Sequence, residues 1–382
     1  MGNAAPSVLF IFTTSFDRRL SESPPRSPRH LYLHFPYCAS RCPYCDFFTE
    51  TPSRHPPASA YAEALLRDLS RHQTSWDTVY FGGGTPSEFP LTELERILQA
   101  VAEKIHSKTE WTVEVNPGTF TFDTARLLRQ YGVNRLSIGF QSTQDSILKF
   151  LGRRHTAADN RKAIRLARHF EFPSLSGDLI YAVRSEEIEK SLGEFLSWNL
   201  DHISTYELTI EGSSIWARKC FDPSDEEERA LEKMNLIEKT LAIAGYHHYE
   251  VSNFSRPGHE CRHNINVWKC GEYVGIGAGA AGYEGGRRYR NIASVKEFIS
   301  RGPLPSYDMG DSLAAETISL VLRLVHGISW SDIPFRNRQA LEEKRSLLEE
   351  IAAEGYITLD ETRLAPTRRG ILFLNEIVLR FL

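Results

Sequence analysis

The chain of 382 residues has no apolar run near the roughly twenty residues that a membrane-spanning helix needs. Residues 7–12 are too short even for the apolar core of a secretory signal. No excess of one charge sign is present, since 45 basic and 49 acidic side chains leave a net charge of −4. That balance argues against a large polyanion as the main ligand, so nucleic acid is not expected. Only six cysteines occur and three of them crowd into one loop, which does not make a disulfide framework. A reducing, cytoplasmic setting is therefore expected. Residues 1–30 lack any helical or strand period and carry Pro6, Pro24, Pro25 and Pro28 among serines and arginines. They read as a loosely ordered leader, and Asp17 and Glu22 weaken an organelle-targeting reading.

What the chain does have is Cys38, Cys42 and Cys45 at CxxxCxxC spacing, delivered by an apolar strand-like run at 31–36. Three thiolates in one short loop can hold three irons of a 4Fe–4S cube and leave the fourth iron open to a small molecule. A closed zinc site is the alternative, but zinc wants four protein ligands and no second cysteine pair follows. His34 or His55 would complete such a site only awkwardly.

Beyond the loop, short apolar runs alternate with amphipathic helices. Runs at 78–81, 111–115, 135–140, 176–181 and 202–208 read as strands, being β-branched or aromatic and bounded by Gly, Pro or Asn. Helices are expected at 60–72, 92–106, 123–131, 157–169 and 186–196, the second with a Thr92–Glu95 capping box. With the cysteine strand this makes six βα units, hence an α/β fold with a parallel sheet that is either a partial barrel or doubly wound. Ligands of such sheets gather at the carboxyl ends of the strands. There stand Gly83, Gly84 and Thr85 in GGGTP, where backbone can approach a ligand closely, although any tight turn could use these glycines. Glu114 ends the next run, and Gln141, Arg153 and Asp178 follow at or just past later ends. Each of these, taken singly, is as readily a surface or capping residue.

A charged helix is expected at 224–244 with Gly245 as its stop. Cys261, His263 and Trp268 then fall in an unusual polar stretch, where a neutral imidazole could serve as an axial haem ligand. The glycines of 275–282 are not a dinucleotide fingerprint, because no βαβ unit with a following acid surrounds them. Helical patterns at 312–324 and 338–353, short runs at 356–359 and 363–365, and a final helix from Thr367 read as a winged-helix-like domain. Arg368 and Arg369 alone form a basic pair there, which points to packing or substrate covering and not to DNA.

CxxxCxxC with Tyr44 before its last cysteine, GGGTP, EVNP and the CRHN segment together resemble the radical S-adenosylmethionine (SAM) superfamily over nearly all of 31–382. The resemblance implies an open (β/α)6 barrel at 31–215, a helical and HN-motif extension at 216–310, and a winged-helix-like domain at 311–382. It also implies a 4Fe–4S cluster on Cys38, Cys42 and Cys45, and a SAM site made by Tyr32, Tyr44, Gly83, Gly84, Thr85, Glu114, Gln141, Arg153 and Asp178. Residues 181–184 depart from the family, whose relatives usually show glycine and proline there. Two branches compete. Oxygen-independent coproporphyrinogen III oxidases, which decarboxylate porphyrinogen propionates, typically carry a fourth cysteine after the residue matching Asp46. HemW-type heme chaperones carry phenylalanine, as this chain does at Phe47. The chaperone branch is expected, with haem, a haem acceptor protein and a low-potential electron donor as partners and His263 as candidate haem ligand. Its haem segment shows tyrosine where this chain has Val267.

Overall fold

The computed structural model describes residues 29–51, 56–210, 214–221, 225, 227–307 and 312–382. The leader expected at 1–30 lies outside them up to residue 28, as does His55.

Six parallel strands, β1 (His30–Phe35), β2 (Trp76–Gly83), β3 (Ile105–Val115), β4 (Arg135–Gln141), β5 (Ser174–Tyr181) and β6 (His202–Glu207), each bond to the next in sequence. Helices α1 (Ala58–Leu69), α2 (Leu91–Ala102), α3 (Phe122–Gln130), α4 (Asp145–Phe150), α5 (Ala157–His169) and α6 (Ile188–Ser197) connect them. This is the winding of a partial (β/α)6 barrel. Side chains alternate by face: Leu31, Leu33, Phe35, Val79, Phe81, Leu136 and Ile138 are fully buried in the core cluster shared with the helices. The other face carries His30, Tyr32 and His34, then Thr78 and Tyr80, Arg135 and Ser137, Ser176 and Asp178. The barrel interior is thus polar, and its strands are buried on both faces without being apolar on both.

On α2, Leu94, Ile97, Leu98 and Val101 are fully buried, worth about 2 kcal/mol each by area. The helix starts directly after Pro90 with no side-chain cap, so the Thr92–Glu95 box does not form. It also ends at Ala102, because Ile105 is drawn into β3 opposite Trp76. The capping box that does form is Thr156 with Asp159, at the start of α5.

After α7 (Ile215–Arg218) and α8 (Glu227–Ile243), Gly245 at φ +82° ends the charged helix as expected. The following segment returns to the barrel. β7 (His247–Glu250) and β8 (Asn253–Ser255) extend the sheet antiparallel beyond β6, α9 (Arg262–Trp268) follows, and β9 (Val274–Ile276) pairs parallel with β1. The sheet therefore has nine strands among the described residues, open at β7 and β9. A three-stranded sheet spans 281–307. Residues 313–381 form a second core around Ile318, Leu341, Leu348, Ile351, Leu364 and Phe381. The expected helix at 338–353 is two helices, Phe335–Glu342 and Arg345–Ala353. Glu250, fully buried, ties this unit to the barrel edge by facing Arg323, whose guanidinium lies 4.5 Å from the Trp268 ring.

Candidate functional site

The segment after β1 folds back on itself. Glu50 donates from its N–H to Pro36 O at 2.7 Å, Cys38 donates to Glu50 O at 3.2 Å, and between them the loop carries all three cysteines. Other parts of the chain hold it. Glu88 accepts from the Ala39 N–H at 2.6 Å, Arg41 donates to Cys45 O at 3.1 Å, and Trp216 donates from its backbone to Pro43 O at 3.0 Å. Such a loop is shaped before any ligand arrives.

Gly83 and Gly84 are required for a reason the sequence did not give. Gly83 sits at φ +107°, and a Cβ there would lie 2.3 Å from the His34 ring. A Cβ on Gly84 would lie 2.6 Å from Phe35 O and 2.7 Å from Tyr37 O. The N–H groups of Gly84 and Thr85 donate to those two carbonyls, at 2.7 and 2.9 Å, and the Gly83 N–H donates to Glu114 Oε2 at 3.1 Å. The N–H groups of Gly84 and Thr85 thus fasten the start of the cysteine loop to the sheet, and that of Gly83 is spent on Glu114.

Cys38, Cys42 and Cys45 all line a cavity of about 540 Å³ at the carboxyl ends of the strands, together with Tyr44, Phe47, Gly83, Gly84, Thr85, Glu114, Gln141, Arg153 and Asp178. None of the three cysteines is in a disulfide. Cys38 Sγ lies 3.3 Å from Thr85 Oγ1, and Arg153 Nη1 lies 3.7 Å from Cys42 Sγ. Among the described residues no three His, Cys, Asp or Glu converge on a single metal ion. A closed zinc site is not supported, whereas a cube whose thiolates each bind a different iron needs its ligands spread around one cavity. Burial pushes the Cys38 thiol up to about 11 and raises Cys45, so thiolates here call for adjacent positive charge, which iron supplies. The donor set fits a 4Fe–4S cluster.

Opposite the cysteines, Glu114 accepts from Tyr80 Oη at 2.8 Å, and Asp178 accepts from Ser137 Oγ at 3.2 Å. Burial is the main cause that lifts Glu114 to about 7 and Asp178 to about 6. Gln141 holds φ +65° at a register shift between β4 and β5, a conformation that non-glycine residues keep only where their surroundings force it. Arg153 donates from Nη2 to Gly139 O at 3.1 Å, while its buried Nε has no protein partner. Carboxylates and an amide thus share the cavity with the thiols, a set suited to a cationic sulfonium with polar ends.

Two expected residues stand elsewhere. Tyr32 does not line the cavity; it lies on the barrel's inner face with its hydroxyl on His34 Nδ1 at 2.9 Å and its ring stacked on Tyr80. His263, the candidate haem ligand, stands away from the cavity. It is 4% exposed, Nδ1 bonds Thr78 Oγ1 at 2.8 Å, and its ring packs 5.3 Å from Tyr80. Thr78 pairs with His30 at the amino end of β2, so His263 plugs the barrel floor, and burial lowers it to about 3. Cys261 is buried beside it, with Sγ 3.8 Å from Glu110. Missed from sequence were Ser137, Asn116 and Tyr206, all on the cavity wall. The strand-end rule would have found Asn116 and Tyr206; Ser137 lies too deep for it.

Residues 32–195 match the radical SAM superfamily and residues 311–373 the HemN C-terminal domain. The heme chaperone HemW of Lactococcus lactis is 35% identical over 73% of this chain and 76% of its own length. That of Escherichia coli is 31% identical over 93% of this chain and 98% of its own. The solved structure of coproporphyrinogen III oxidase (HemN) from Escherichia coli, a radical SAM enzyme, superposes with a TM-score of 0.77, covering 94% of this chain and 90% of that one at 20% identity. At that identity the likeness is one of fold. The chain belongs to the radical SAM superfamily and, within it, to the HemW family.

Proposed function

We propose that this HemW-family chain is a heme chaperone, which holds a 4Fe–4S cluster on Cys38, Cys42 and Cys45, binds SAM across the cavity, and carries one haem to an acceptor protein. The cluster, when present and reduced, supplies an electron at low potential next to the sulfonium of SAM. Everything else falls to the chain. Gly83, Gly84 and Thr85 seat the cysteine loop against β1. Glu114 and Asp178 offer carboxylate oxygens to polar groups of SAM, Gln141 offers an amide, and Arg153 braces Cys42 with Nη1 and Gly139 O with Nη2.

The observation that carries the chaperone reading over an oxidase is near end-to-end similarity to HemW proteins, joined to Phe47. Phe47 is 66% exposed on the cavity wall, at the position where the oxidases carry a fourth cysteine. An exposed aromatic ring beside a wide opening offers a flat apolar macrocycle a face to lie on and supplies no thiolate. Among the described residues no helix is long and apolar enough to cross a membrane.

The test is an anaerobic haem titration of cluster-loaded protein followed by visible absorption. One haem per monomer should bind with a defined Soret band, Phe47→Ala should weaken binding about tenfold, and His263→Ala should leave the band in place. Failure to bind haem at micromolar concentration would remove the chaperone reading.

A further inference from the structure

Against the cysteine loop, among residues that do not line the cavity, three aromatic rings form one cluster. Trp216 of α7 packs 5.4 Å from Phe150 at the end of α4 and 5.6 Å from Phe221, ring centre to ring centre. Phe150 and Phe221 are 40% and 45% exposed, whereas Trp216 is buried beneath them. Large aromatics left at the surface in contact with one another cost solvation unless something covers them. Exposed cations flank them: Lys149 precedes Phe150, and Lys219 follows two residues before Phe221. Neither lysine forms an ion pair among the described residues. Beneath the rings the route to the cysteines is short. Trp216 lies 6.2 Å from the Tyr44 ring, Tyr44 is hydrogen-bonded to Arg153, and Arg153 reaches Cys42 Sγ at 3.7 Å.

An apolar centre with unpaired positive charge around it fits an acidic partner, and its small extent suits a weak, transient interface such as redox carriers use. Tyr44 lines the cavity and the three rings do not, so a protein on this face would reach the cysteines through Tyr44 and not through the cavity. We propose that the Phe150–Trp216–Phe221 face is the docking surface for a small acidic one-electron carrier protein. One electron leaves the reduced carrier, which is oxidised, and enters the cluster, which is reduced; no proton or bond changes hands. The proposal rests on the cysteine loop holding a 4Fe–4S cluster.

The experiment uses the full chain, reconstituted with iron and sulfide, and reads cluster bleaching by stopped flow with reduced flavodoxin or with dithionite. Lys149→Glu with Lys219→Glu alters only exposed side chains. With flavodoxin at low salt the double variant should react about tenfold slower than the parent, and the parent's own rate should fall as salt rises. Binding of oxidised flavodoxin, followed by calorimetry, should weaken in parallel. Dithionite should reduce both proteins equally. An unchanged flavodoxin rate overturns the proposal, as does a slowing that dithionite shares. Normal reduction combined with lost haem hand-over would assign the face to the haem acceptor and overturn it too. Protein that fails to load iron at all instead contradicts the cluster reading, so the two failures are distinguishable.

Discussion

The two ends of the barrel are equally rich in polar and titratable side chains, yet they are built for opposite purposes. At the floor the histidines are held by neighbouring side chains, although the buried Nε of Arg135 has no partner. Thr78 Oγ1 bridges His30 and His263 at 2.9 and 2.8 Å, and His202 is held by Ser176 and Tyr249 at 2.7 and 2.9 Å. At the top, Glu114, Gln141 and Asp178 line open space. A histidine in a polar segment is therefore not a ligand by virtue of its chemistry. What marks a site is capacity left unspent beside a cavity.

The sharpest way to break this contrast is to remove capacity at the top. Replacing Cys38, Cys42 and Cys45 together by alanine should abolish iron content and the broad visible absorption of reconstituted protein, with far-UV circular dichroism unchanged. Iron retained in that variant would mean that the cysteines are not the ligands. Gly84→Val is expected to act on the same end. Because its side chain meets Phe35 O and Tyr37 O, it should lower both iron loading and SAM affinity, by about tenfold or more for the latter, as calorimetry would read.

Much of this was legible in the sequence, and the parts that were not share a cause. The cysteine spacing, the six βα units and the strand-end placement of Glu114, Gln141 and Asp178 are local patterns, and the structure brings them to one cavity. The placement of His263 was not legible because its partners, Thr78 and Tyr80, lie about 185 residues away in the chain, and no local pattern reports a plug. Strands β7, β8 and β9 escaped notice for the same reason. They run only three or four residues each, and what makes them strands is the edge they pair with.

At the floor the expected effects are on stability. His263→Ala removes a buried ring and leaves Thr78 with one partner fewer, which should cost about 3 kcal/mol in chemical denaturation. Haem binding by the surviving folded protein should be unaltered. A variant as stable as the parent but unable to bind haem would return His263 to the functional site.

The smallest effect is a pH dependence that belongs to the top. Glu114 titrates near 7 and Asp178 near 6 in the folded chain, above their ordinary 4.5 and 3.8. The folded state then binds more protons than the unfolded state between those values, so the apoprotein should lose stability as pH rises from about 4 to about 7. Each group contributes to that fall, and Glu114→Gln should flatten the slope over the upper part of that window. A slope of equal size in the Glu114→Gln variant would mean that burial does not hold that carboxyl in its protonated form.

The account turns on whether a cavity with Phe47 at its wall handles haem or transforms a porphyrinogen. Cluster-loaded protein, incubated anaerobically with SAM, a low-potential reductant and coproporphyrinogen III, should yield no protoporphyrinogen by chromatography. Steady formation of protoporphyrinogen, over many turnovers per cluster, would contradict the chaperone reading and make the chain an oxidase.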